Sequence, residues 1–200
     1  MTTFLLIRHG ETDAIGKSMM GWMPGWHLNA NGKQQVAKLA ERLARLPIRA
    51  VYASPLERAI ETAEPIARRH GLAVQPVDDL GEVHMGPWQG LTIAELDQRE
   101  DFRKFNTYRA GARPPGGEMM IEVQTRIIRE LHCLEERHPG ETVAVVSHGD
   151  PLRSAAAYYL GIPLDLMQRF EIAPASVTAV EVADWGPRVL CLNETGDVPL

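Results

Sequence analysis

Two short runs constrain this chain more than any other feature. Phe4–Ile7 and Val143–Val146 are each four apolar residues bounded by polar ones, the pattern of a strand buried on both faces. Such a strand needs helices on both sides of its sheet. Both runs continue through one polar residue into histidine and glycine, in "LLIRHGET" and "VAVVSHGD". Ligands of open α/β sheets bind beyond the carboxyl ends of the strands. If the two strands are neighbours, His9 and His148 face each other across that crevice.

The rest of the sequence alternates in the same sense. Thr3–Ile7 is read as the first strand, and Asn31 as the cap of a helix whose apolar positions Val36, Leu39, Ala40, Leu43 and Leu46 recur until Pro47. Ala50–Ser54 predicts a strand, with Pro55 in the first turn of the next helix and Gly71 at its exit. Val74–Val77 predicts a short strand. From Glu118 to His138 the spacing predicts a long amphipathic helix with Ile121, Ile127, Ile128, Leu131 and Leu134 inward. Val143–Val146 precedes a helix over Pro151–Leu160, and two final strands turn at Asp184–Pro187. The expected fold is a three-layer α/β/α sandwich with a mostly parallel sheet, as a single domain over residues 1–200. The irregular stretch 82–117 reads as an insertion over one end of the sheet.

Composition excludes several classes of function. A formal charge of −5 argues against a nucleic-acid-binding protein. No apolar run approaches the ~20 residues that span a bilayer. The N-terminal FLLI is too short for a signal-peptide core. Cys133 and Cys191 make no disulfide framework, so reduced thiols and a cytoplasmic location are expected.

The negative charge does not exclude a local basic pocket for a small anion. Arg8 adds a fixed positive charge beside His9, and "YASPLERA" supplies Arg58 one turn into a helix after a third strand. Two guanidiniums and two imidazoles at three strand ends suit a dianion, and Arg is shaped for bidentate phosphate binding. Each residue alone reads more simply as a solvated strand end or a satisfied polar group; their common edge favours a site. Gly10, lacking a side chain, is read as room for a substrate to approach His9.

Four blocks, "RHGET" at 8–12, "SPLERAIETA" at 54–63, "GEVHMGPWQG" at 81–90 and "SHGDPLR" at 147–153, resemble the histidine phosphatase superfamily, the phosphoglycerate-mutase-like proteins. The likeness runs from Thr3 to about Ala183. It implies a mixed sheet with one antiparallel strand near the C-terminus, no cofactor, no metal, and a dimer in many members. Carried over by motif, His9 is the nucleophile, Arg8, Arg58 and His148 hold the phosphoryl oxygens, Glu82 is the proton donor, and Gly149 adds a backbone N–H. Gly21 and Trp22 fall in the loop that faces the substrate.

The second shell departs from the family pattern. Ile15 stands where Asn is common, Pro24 and Gly25 where Asp is common, and Met119 where Ser follows the glycines. The loop Met19, Met20, Trp22, Met23 and Trp26 is apolar, and two readings stay open: core packing, or a wall preferring ring-bearing phosphomonoesters over 3-phosphoglycerate. His132, Cys133, Glu135, Glu136 and His138 fit no zinc spacing and read as a solvated helix face. Arg99, Arg103, Lys104, Arg109 and Arg113 read as solvated surface, with a second anion site as the other reading.

Three functions compete: a phosphomonoesterase acting on a small molecule, a phosphoglycerate mutase, and a non-catalytic module that binds phosphorylated ligands. A proton donor is of no use to a binding module. Family mutases are generally longer and carry a C-terminal tail over the site, whereas here only NETGDVPL follows the last strand, so the phosphatase is expected.

Overall fold

A computed structural model describes residues 1–199; Leu200, the last residue of the expected domain, lies outside the described residues. Six strands form one sheet in the order β3-β2-β4-β1-β5-β6. They are β1 (Thr2–Arg8), β2 (Ile48–Ala53), β3 (Val74–Pro76), β4 (Thr142–Ser147), β5 (Val177–Ala183) and β6 (Gly186–Glu194). β1, β2, β3 and β4 pair in parallel, and β5 runs antiparallel to both β1 and β6.

Side chains alternate across the pleat, and both faces are covered. Leu5, Ile7, Val51, Ala144 and Val146 pack against α1 (Ala30–Leu43) and α2 (Glu57–Arg69). Phe4, Leu6, Tyr52, Val143 and Val145 pack against α5 (Met120–Arg137) and α6 (Gly149–Leu160). This double burial explains why these strands lack polar alternation. Residues 82–117 carry α3 (Ile93–Asp97) and α4 (Glu100–Thr107). There Trp88, fully buried, meets Phe102 and Phe105 edge to face in a third cluster.

The topology sets the site. β1 leads through α1 to β2, on one side of β4; β4 leads through α6 to β5, on the other side of β1. The chain thus diverges between two adjacent strands, the switch point where a crevice opens at the carboxyl edge. In that register Arg8 lies opposite Ser147 and Ala53 opposite Val146. The residues that follow, His9, His148 and Ser54, come together.

Several helix boundaries differ from expectation. Asn29, not Asn31, caps α1: its side chain accepts the Gly32 N–H at 2.8 Å, while Asn31 donates to Glu11 at 2.6 Å. Pro55 lies before α2, which opens at Glu57. α5 begins at Met120, so Met120 and Val123 face inward and Ile121 is exposed. α6 begins at Gly149, two residues before Pro151, with His148 at its cap position. Among the described residues no helix is long and apolar enough to cross a membrane.

Candidate active site

His9 is buried and lines a cleft of about 220 Å³ at the carboxyl edge. Its Nδ1 lies 2.7 Å from the Gly10 carbonyl oxygen. A carbonyl only accepts, so Nδ1 carries the proton and Nε2 keeps its lone pair. Burial, then Arg58 and Arg8, hold this imidazole well below the ordinary histidine range. It is neutral at pH 7, the state a nucleophile needs.

His148 stands beside it, with ring centroids 5.1 Å apart. Its Nε2 is 2.7 Å from the Ser54 hydroxyl, and its buried Nδ1 has no hydrogen-bond partner. Nδ1 is 3.9 Å from Glu82 Oε2, too long for a hydrogen bond. When Ser54 donates to Nε2, the imidazole proton sits on Nδ1.

Both arginines are held on one side only. Arg8 Nη1 donates to the Ile172 carbonyl at 2.6 Å and its buried Nε has no partner. Arg58 Nη2 donates to the Gly21 carbonyl at 2.9 Å and its buried Nη1 has none. Fixed guanidiniums with spare donors make a preorganised anion site. Gly149 opens α6 directly below Arg8, and the first-turn N–H groups of a helix have no intrahelical acceptor.

Glu82 completes the wall. Its Oε1 accepts the Val83 N–H at 2.9 Å. Burial, then the nearby Asp150, push its carboxyl above the usual carboxylate range, against the opposing pull of Arg58 and Arg8. Near neutrality it is therefore easier to protonate than an ordinary glutamate.

The structure thus brings Arg8, His9, Arg58, Glu82, Gly21 and Gly149 to one cleft. His148 borders it through His9 and Glu82. Trp22 and Trp26 do not line it; Ile15, Met19 and Met20 do. The Trp22 indole N–H instead donates to the Glu82 carbonyl oxygen. Gly10 is also absent from the lining. A Cβ there would fall 2.9 Å from both the Gly32 carbonyl and Val36 Cγ2. Its missing side chain makes room for α1, not for substrate.

Ser54, Asp150 and Arg153 were not singled out by sequence. Asp150 and Arg153 line the cleft and lie 3.3 Å apart near the start of α6. Burial pushes Asp150 up, but Arg109 and then Arg153 outweigh it and keep it ionised. Arg109, expected on a solvated surface, is buried against Phe105 and 2.7 Å from Asp150. The signal was the i, i+3 pair in "HGDPLR". The His132–His138 cluster does not converge: His138 faces Tyr52 and Glu141, and among the described residues no group of His, Cys, Asp or Glu is placed to hold a metal.

A neutral imidazole, two half-free guanidiniums and a protonatable carboxyl beyond parallel strands define a site for phosphoryl chemistry. The profile of the histidine phosphatase superfamily (branch 1) matches residues 4–195, and the chain belongs to that family. It is 30% identical over 197 residues to phosphoserine phosphatase 1 of Hydrogenobacter thermophilus, covering 98% of this chain and 93% of the relative. It is 35% identical over 198 residues to the bifunctional protein Rv2228c of Mycobacterium tuberculosis, covering 98% of this chain but only 54% of that protein. The chain thus spans about half the length of that relative. The structure of Bacillus stearothermophilus YhfR superposes with a TM-score of 0.91 at 32% identity, over 100% of this chain and 98% of that one.

Proposed function

We propose that the protein hydrolyses a small-molecule phosphomonoester through a phosphohistidine on His9. The observation that carries this reading is the hydrogen bond from His9 Nδ1 to the Gly10 carbonyl, which frees Nε2 as nucleophile.

In the first step Nε2 attacks phosphorus, the P–O bond to the leaving group breaks, and Glu82 gives its proton to the departing alkoxide. Arg8, Arg58, His148 Nδ1–H and the Gly149 N–H donate to the three equatorial oxygens as charge spreads over them. In the second step the ionised Glu82 takes a proton from water, the hydroxide attacks phosphorus, and the P–N bond breaks. Inorganic phosphate and neutral His9 result, and Glu82 is protonated again.

The cleft volume of about 220 Å³ suits a metabolite better than a phosphoprotein segment. A panel of phosphorylated metabolites, run beside a phosphoglycerate mutase assay, tests the reading. Phosphate release from at least one metabolite at kcat/KM above ~10⁴ M⁻¹s⁻¹ supports it. Transfer between the hydroxyls of phosphoglycerate without release would replace it with a mutase.

A further inference from the structure

Glu82 sits on a segment with no regular structure to hold it, between the 3-10 turn Asp78–Leu80 and the turn Gly86–Trp88. Three carbonyls of this segment share one partner. From α5, Arg126 Nη1 donates to Asp79 O at 2.7 Å and Gly81 O at 2.9 Å, and Nη2 donates to Glu82 O at 2.9 Å. The other donors go to Glu118: Nε to Oε1 at 2.9 Å and Nη2 to Oε2 at 3.1 Å. A guanidinium has five N–H groups, and all are engaged. Glu118 in turn accepts the His84 N–H at 2.9 Å.

A second grip comes from the connection between β1 and α1. Trp22 Nε1–H donates to the same Glu82 oxygen at 2.5 Å. Its ring lies so close to Gly81 that a Cβ there would fall 2.0 Å from it. It also stacks on the His84 imidazole, with centroids 4.5 Å apart and planes 7° from parallel. Neither Trp22 nor Arg126 lines the cleft.

We propose that Arg126 and Trp22 are positioning residues for proton transfer, clamping the Glu82 main chain so that its carboxyl meets the leaving group. This rests on the reading of Glu82 as proton donor. The transfer needs heavy atoms within about 3 Å, and a misplacement of ~1 Å can cost 10²-fold. Arg126→Lys keeps the charge but cannot reproduce a fork that reaches three carbonyls and a carboxylate.

The test compares glycerol phosphate, a poor leaving group, with p-nitrophenyl phosphate, a good one, in wild type, E82Q, R126K, W22F and R126K/E82Q. R126K is expected to lower kcat on glycerol phosphate by about tenfold or more. KM should stay within about twofold and the nitrophenyl ester lose less than about threefold. Added to E82Q, R126K should cost less than about twofold further on glycerol phosphate. Should R126K fail to fold, W22F, which keeps a ring but loses the N–H, carries the same comparison. Equal losses on both esters, or full additivity with E82Q, overturn the positioning role. An E82Q variant that does not discriminate between the esters overturns the proton-donor reading itself.

Discussion

His9 and His148 meet edge to face, with their ring planes 62° apart, and each has one nitrogen committed to a fixed partner. For His9 that partner is a carbonyl, for His148 a hydroxyl that also accepts the Leu56 N–H. The uncommitted nitrogens have different uses: His9 Nε2 can attack, and His148 Nδ1 can donate.

His9→Ala is expected to lower turnover by at least ~10³-fold, since no other imidazole is among the residues lining the cleft. Circular dichroism should show an unchanged fold. Mass spectrometry of wild type after an acid-free quench should place phosphate on His9. Phosphate on any other residue contradicts the mechanism.

The pH profile follows from two opposed shifts. His9 must be neutral, and its pKa lies well below the ordinary range, so kcat/KM rises with pH only in the acid region. Glu82 must be protonated, and its pKa is raised, so kcat/KM for an alkyl phosphate falls as pH climbs through that value. The profile is therefore bell-shaped, with its optimum between the two titrations. Because Asp150 raises the Glu82 pKa, Asp150→Asn should move the alkaline limb to lower pH. A limb that stays put or moves up would remove this coupling.

Gly10→Ala is expected to act on stability. The added methyl meets a backbone carbonyl of α1, which cannot swing aside, and overpacking of this kind costs about 1–3 kcal/mol. Urea denaturation should show the loss. A variant of unchanged stability but raised KM would restore the reading of Gly10 as a substrate passage.

Selectivity is expected to follow the lining of the cleft. Trp26→Ala should leave the ratio of kcat/KM between ring-bearing and small phosphomonoesters unchanged, since Trp26 is not on the wall. Ile15→Ala should raise KM for the bulkier ester by roughly fivefold, the equivalent of about 40 Å² of apolar contact at ~25 cal/mol per Å². A large effect at Trp26 alone would reverse this assignment.

The reacting residues were legible because strands buried on both faces leave one place for polar groups, the step just past their ends. Arg8–His9 and Ser147–His148 take that step in register. Trp22 was not legible, because an indole with one N–H packs equally well on a substrate or on a peptide, and only the distant Glu82 carbonyl decides. Asp150 and Arg153 near the start of a helix look like any solvated pair until Arg109 arrives from the insertion to pair with Asp150. The phase of α5 was missed by one residue at its start, where Met120 takes the inward place assigned to Ile121.

The cleft has two walls of different origin. One is built from strand ends, the starts of α2 and α6, and Glu82. The other, residues 14–21, belongs to a single connection between β1 and α1 and carries no group that breaks or forms a bond. Most of the wall that meets the substrate is thus written on a different piece of chain from the groups that carry the chemistry. Descendants of this sequence can exchange residues 14–20 and acquire a new substrate without re-evolving the reaction, so long as Gly21 and Trp22 keep their hold on Arg58 and Glu82.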